Sequence, residues 1–179
     1  MADTGWLDHG TFYDDDYGPG NPPWVDLTNA VSENDSYSSV AITGEDETDF
    51  LRGQNIDEAI PAGSTVNGIE VRVKGYHGGV PLAFLLIMQL HLDGATTGDD
   101  ESSFELVPGS NGWIATIGGP ANMWGTSLDL ADIKDPTFGV KFVIGTVDTQ
   151  TLYVDCVQMK IYYDEPSGHR PLPPHFKIP

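Results

Sequence analysis

A chain of 179 residues with 27 acidic and 8 basic side chains, a formal charge of −19, repels phosphate backbones and anionic bilayers; this argues against direct nucleic-acid or membrane binding. The length suits one hydrophobic core with room for long loops or arms. Its 21 glycines, 13 prolines and lack of long helical periodicity point to an all-β fold, and the single cysteine rules out an intrachain disulfide.

Residues 1–36 read as an extended N-terminal arm. Within them FYDDDYGPGNPPW holds three adjacent acids, two glycines and three prolines, which suit neither a helix nor a central strand. Trp6, Phe12, Tyr13, Tyr17 and Trp24 are too many aromatics for a disordered tail. The arm is therefore expected to pack, on its own sandwich or on a neighbouring subunit, and Trp6, Phe12, Tyr13 and Tyr17 are its candidate partner-binding residues. The opening MADTGWLDHG has neither the basic nor the apolar region of a secretory leader, so residence in the cytosol or release by lysis is the expectation.

Residues 37–164 carry the strand signals of the sandwich domain. YSSVAIT (37–43) and TDFLRGQNI (48–56) flank an acidic turn. From Thr65 to Tyr76, Val66, Ile69, Val71 and Val73 alternate with Glu70, Arg72 and Lys74, giving one apolar and one charged face. LAFLLIMQLHLDG (82–94) is apolar on both faces at first, as a strand covered on both sides would be. FELVP reads as a short edge strand. SLDLADIKDP (127–136) is the one helical turn, capped by Ser127 or Asp129 and stopped at Asp135-Pro136. TFGVKFVIGT places Phe138, Val140, Phe142 and Ile144 on one face, and TLYVDCVQMKIYYD does the same with Val157, Met159, Ile161 and Tyr163. Seven or eight such strands predict an antiparallel, jelly-roll-like two-sheet sandwich with at most one short helix.

Residues 165–179, with five prolines, read as a second, polyproline-like arm. It is either a flexible linker or a clamp on a neighbour. The clamp would use the local basic excess of His169, Arg170 and Lys177 and the apolar Leu172, Phe176 and Ile178.

Reactive chemistry is sparse. GTSLD (125–129) lacks the second glycine of a nucleophile elbow, and Ser127 reads as a helix cap. His9, His77, His91, His169 and His175 show no metal-ligand spacing, and no phosphate-binding or dinucleotide fingerprint occurs. No catalytic residue, cofactor or metal site is expected. Cys156 reads as a small buried core residue. Asp155, set among apolar neighbours, needs partners: backbone amides, a loop, or a structural Ca²⁺. Trp113 and Trp124, in a Gly-rich stretch, either plug the open end of the sandwich or form a platform for stacking sugar rings.

Three pieces of the chain taken together resemble a type of tailed-bacteriophage and prophage virion protein: GQNIDEAIPAGSTVNGIEVRVKG, GWIATIGGPANMWGTSLDLADIKDPTFGVKFVI and LYVDCVQMKIYYD. The matching positions are Ile60, Pro61, Gly63, Val66, Gly68, Ile69 and Val71, then Trp124, Gly125, Asp132, Ile133, Phe138, Gly139 and Val140. They end with Val154, Asp155, Val157, Ile161, Tyr162 and Tyr163. The resemblance implies a non-enzymatic structural component of the virion, a capsid decoration (cement) protein or a neck or tail part. Such a part would dock on the major capsid protein, or on neck or tail proteins, through its arms and acidic surface. Homo-oligomers, trimers among them, would suit that role. The alternative expectation is a carbohydrate-binding host-adhesion module, with Trp113 and Trp124 as its platform.

Overall fold

Alternating apolar residues bury one face of a strand and wet the other, and in the computed structural model this pattern closes an antiparallel two-sheet β-sandwich. The structure describes residues 1–77, 83–101, 104–106 and 112–166. The first strands in chain order are β1 (Ala2–Asp3), β2 (Leu7–Asp15), β3 (Ser38–Ile42), β4 (Asp46–Glu47), β5 (Phe50–Ile56) and β6 (Thr65–His77). There follow β7 (Ala83–Leu92), β8 (Ala95–Thr97), β9 (Phe104–Leu106), β10 (Trp113–Gly118), β11 (Gly139–Thr146) and β12 (Gln150–Asp164). A 3-10 turn at Leu27–Ala30 and one short helix, α1 (Leu130–Ile133), complete the described elements.

The first sheet runs β10-β6-β12, with β1 and β3 also on β12; the second runs β2-β5-β11-β7-β8, with β4 on β11 and β9 on β7. Strand β2 joins them. Its Leu7 and Asp8 pair with Met159 and Gln158 of β12, and from His9 to Asp15 it pairs with β5. One continuous ladder thus curls from sheet to sheet.

Of the two expectations for residues 1–36, an arm packed on its own sandwich or on a neighbouring subunit, the structure shows the first, and goes further by making residues 7–15 a strand of the ladder. Phe12 and His9 are buried, and Trp24 is 3% exposed, its indole N–H donating to the Asp49 carbonyl at 2.9 Å. The segment packs on its own sandwich because β12 and β5 each leave an edge that β2 fills. Gly53 of β5 makes the fit. A Cβ there would come 2.8 Å from the Phe12 ring and 2.9 Å from the His9 ring, so the backbone itself serves as the seat for both aromatics.

The core takes the residues that the alternation selected. Ile69, Val71, Val73, Phe138, Val140, Phe142, Ile144, Val157, Met159 and Ile161 are fully buried. Strand β7 differs from expectation: among the described residues its outer face is only partly covered in the first half, where Phe84 and Ile87 are half-buried and Leu86 is 37% exposed. Asp129 caps α1 by accepting from the amides of Ala131 and Asp132, while the Asp132 carboxylate accepts from the Asp129 amide, a reciprocal capping box.

Candidate functional site

The charged face of β6 presents Glu70, Arg72, Lys74 and then the 45% exposed Tyr76. Antiparallel pairing sets Gln158 of β12 opposite Arg72, Lys160 opposite Glu70, and Tyr153 opposite Tyr76. Between Val154 and Cys156 the register shifts, and the extra residue is Asp155. A bulge of this kind re-aims a side chain that regular pairing would hold in line.

Asp155 is fully buried and fully partnered. Its Oδ1 accepts from the amides of Asn34 (3.1 Å) and Asp35 (2.9 Å), and its Oδ2 accepts from the Lys74 ammonium at 2.7 Å. One carboxylate thereby pins the loop after the 3-10 turn onto the outer face of the first sheet. Glu33 of that loop accepts from Lys74 (3.1 Å) and Arg72 (3.2 Å), so both cations are shared with it. The hydrogen bond to Asp155, and after it that to Glu33, raises the Lys74 ammonium well above the ordinary lysine pKa against the opposing effect of burial. Next to Asp155, burial and then the Asp155 and Glu33 charges push the Cys156 thiol up to about 11, which keeps it protonated and inert.

Between the pinned loop and the sheet lies a cleft of about 560 Å³, lined by Glu33, Asp35, Tyr37, Lys74, Tyr76, Ile114 and Asp155. It opens beside an apolar hollow of about 370 Å³ formed by Tyr37, Tyr76 and Tyr153. The Tyr37 and Tyr153 rings meet edge to face, 5.8 Å between centroids at 74°, and Tyr76 and Tyr153 lie 6.0 Å apart at 34°. Tyr37 and Tyr76 line both spaces, so aromatic surface and polar cleft form one site. Gly75 also lines the cleft, and on its inner side a Cβ would fall 2.3 Å from the Trp113 ring and 2.4 Å from the Tyr153 carbonyl, so the bare backbone makes room for that indole. Burial, then the Asp35 and Asp155 charges, raise the Tyr37 hydroxyl above the ordinary phenol range, leaving it a hydrogen-bond donor.

Those residues singled out in the sequence that lie among the described ones do not converge. Trp6 lies farther along the same outer face, with the Lys160 ammonium 4.1 Å and the Arg72 guanidinium 4.9 Å from its ring centroid. Phe12 is in the core. Tyr13 is on the second sheet under Arg52, at 4.5 Å, and Tyr17 packs edge-on against Phe50 at 5.0 Å. His169, Arg170, Leu172, Phe176, Lys177 and Ile178 lie outside the described residues.

Trp113 and Trp124 are not a platform. They are 3% and 0% exposed, and the Trp124 indole N–H donates to the Ile69 carbonyl at 3.0 Å. Glycines 118 and 119 let the chain fold this ring under β6, so both rings fill the sandwich. The aromatics that do reach solvent together, Tyr37, Tyr76 and Tyr153, carry no local sequence signal. Only the pairing of Tyr76 with Tyr153 and the pinning of the loop before β3 bring them together.

Among the described residues, no group of three or more His, Cys, Asp or Glu side chains is placed to hold a metal ion, and no helix is long and apolar enough to cross a membrane. Asp155 has spent its oxygens on two amides and an ammonium, the arrangement that a buried carboxylate requires.

No protein-family model and no curated protein matches the chain. Among solved structures it is similar to the N-terminal cellulose-binding domain from Cellulomonas fimi β-1,4-glucanase C. The match has 13% sequence identity and a TM-score of 0.40, over 88% of this chain and 96% of that one. The expectation of a virion structural component docked by two free arms is corrected: the N-terminal one of those arms is built into the body as a strand, and the match found is to a cellulose-binding domain.

Proposed function

We propose that the protein is a carbohydrate-binding module, without a catalytic step of its own, that takes an oligosaccharide on the Tyr37–Tyr76–Tyr153 surface and in the adjoining cleft. A pyranose ring has an apolar face of C–H bonds and a rim of hydroxyls. It calls for flat aromatic carbon that is exposed before binding, with donors and acceptors at its edge. The observation that carries this reading is the clustering of three partly exposed tyrosine rings beside Asp35, Glu33 and Lys74. The carboxylates accept from sugar hydroxyls, and the Lys74 ammonium and tyrosine hydroxyls donate to them.

The site is held ready before the ligand arrives. Tyr76 and Tyr153 stand on paired strands, and Tyr37 is fixed by its edge contact with Tyr153, so little side-chain freedom is lost on binding. The test is isothermal titration with a panel of oligosaccharides, comparing the wild type with Tyr76→Ala and Tyr153→Ala. Each variant is expected to weaken binding about tenfold, roughly 1.4 kcal/mol, with the fold intact by circular dichroism. Absence of binding across the panel, or wild-type affinity in both variants, would overturn the reading.

A further inference from the structure

Within the carbohydrate reading, on which this inference rests, we infer that the cleft selects a cationic amino sugar, a glucosamine-type unit with a free ammonium, over neutral and uronate sugars. The charges around the cleft are out of balance. Three carboxylates, Glu33, Asp35 and Asp155, surround one ammonium, that of Lys74, while Arg72 reaches Glu33 from outside. They are not equally engaged. Asp155 is saturated by two amides and Lys74, and Glu33 is divided between Arg72 and Lys74.

Asp35 is different. Its side chain is 82% exposed, and its carboxylate stops 3.8 Å from Lys74, beyond hydrogen-bond length. It stands at the mouth of the cleft beside Tyr37, where an ammonium on a sugar stacked against the tyrosines meets a carboxylate and the negative faces of aromatic rings at once. Burial raises the Tyr37 hydroxyl first, and the Asp35 and Asp155 charges add to it against the opposing Lys74 charge. The formal charge of −19 adds a longer-range attraction for cations that salt screens beyond about 8–10 Å.

The experiment compares three oligosaccharides of equal length: glucosamine, N-acetylglucosamine and a uronic acid. They share a pyranose ring and differ in charge. An exposed ion pair together with a cation–π contact favours the glucosamine oligomer over its N-acetyl counterpart by about tenfold at low salt. The ratio is expected to shrink as NaCl is raised and to approach one in Asp35→Asn, with the uronate weakest of the three. A ratio near one in the wild type, or one insensitive to both salt and Asp35→Asn, overturns the inference while neutral-sugar binding sustains the carbohydrate reading. Glucosamine affinity that survives Tyr76→Ala assigns the attraction to the general acidic surface and also overturns it. Silence of all three sugars and of the wider panel instead removes the carbohydrate reading itself.

Discussion

Replacing Asp155 by asparagine tests how far one buried carboxylate supports both the fold and the cleft. The substitution keeps shape and one oxygen, so the amides of Asn34 and Asp35 retain an acceptor, now neutral. The other oxygen becomes an N–H₂ facing the Lys74 ammonium at 2.7 Å. The lost attraction is large in gross terms: two unit charges at that separation interact by about 6 kcal/mol at an effective dielectric of 20. Most of this is offset by the desolvation that Asp155 no longer suffers, and Lys74 keeps Glu33 as a partner at 3.1 Å. The net cost is therefore about 2–4 kcal/mol, at or below the range for breaking a buried pair. For a domain of this length that lowers Tm by about 5–15 °C. Urea denaturation gives the stability change directly, and a double-mutant cycle with Lys74→Met isolates the pair. The double variant is expected to lose at least about 1 kcal/mol less than the sum of the singles. Asp155→Asn within about 0.5 kcal/mol of wild type, or strict additivity with Lys74→Met, would refute the claim that this carboxylate pins the loop.

Three further outcomes follow from other parts of the fold. His9 is held neutral by burial, its pKa lowered to about 4 from an ordinary 6.5 despite the bond it donates to the Val157 carbonyl. The unfolded chain takes up this proton first, so the contribution is complete above pH 6.5 and is lost as pH falls toward 4. That amounts to about 3 kcal/mol, and urea titrations of His9→Phe against wild type should show this extra acid loss only in the wild type. Trp124→Ala removes a fully buried indole and its bond to Ile69 and is expected to cost about 3–5 kcal/mol; chemical denaturation measures it, and a marginal cost would return this ring to the surface. Cys156, buried with its thiol pushed up to about 11, should resist a thiol-specific reagent at pH 8 until denaturant opens the sandwich, and fast labelling of the native protein would contradict its placement.

Alternation along the chain determined the walls by itself. Val66 through Val73, Phe138 through Ile144 and Val157 through Tyr163 had to face inward because a period of two leaves no other way to bury them. The same local logic marked Asp155 as a carboxylate in need of partners and Asp129 as a helix cap. The aromatic site could not be found in this way. Tyr37, Tyr76 and Tyr153 are far apart in the chain, and their meeting depends on which strands pair, in what register, and on a bulge that turns Asp155 toward the loop at Asn34. Residues 7–15 misled for a related reason. Acids, glycines and prolines beside them look like a tail, and they become a strand only because two sheet edges wait to be joined. Periodicity is a property of neighbours in sequence, whereas a binding surface is made by neighbours in space, and long-range pairing alone creates those.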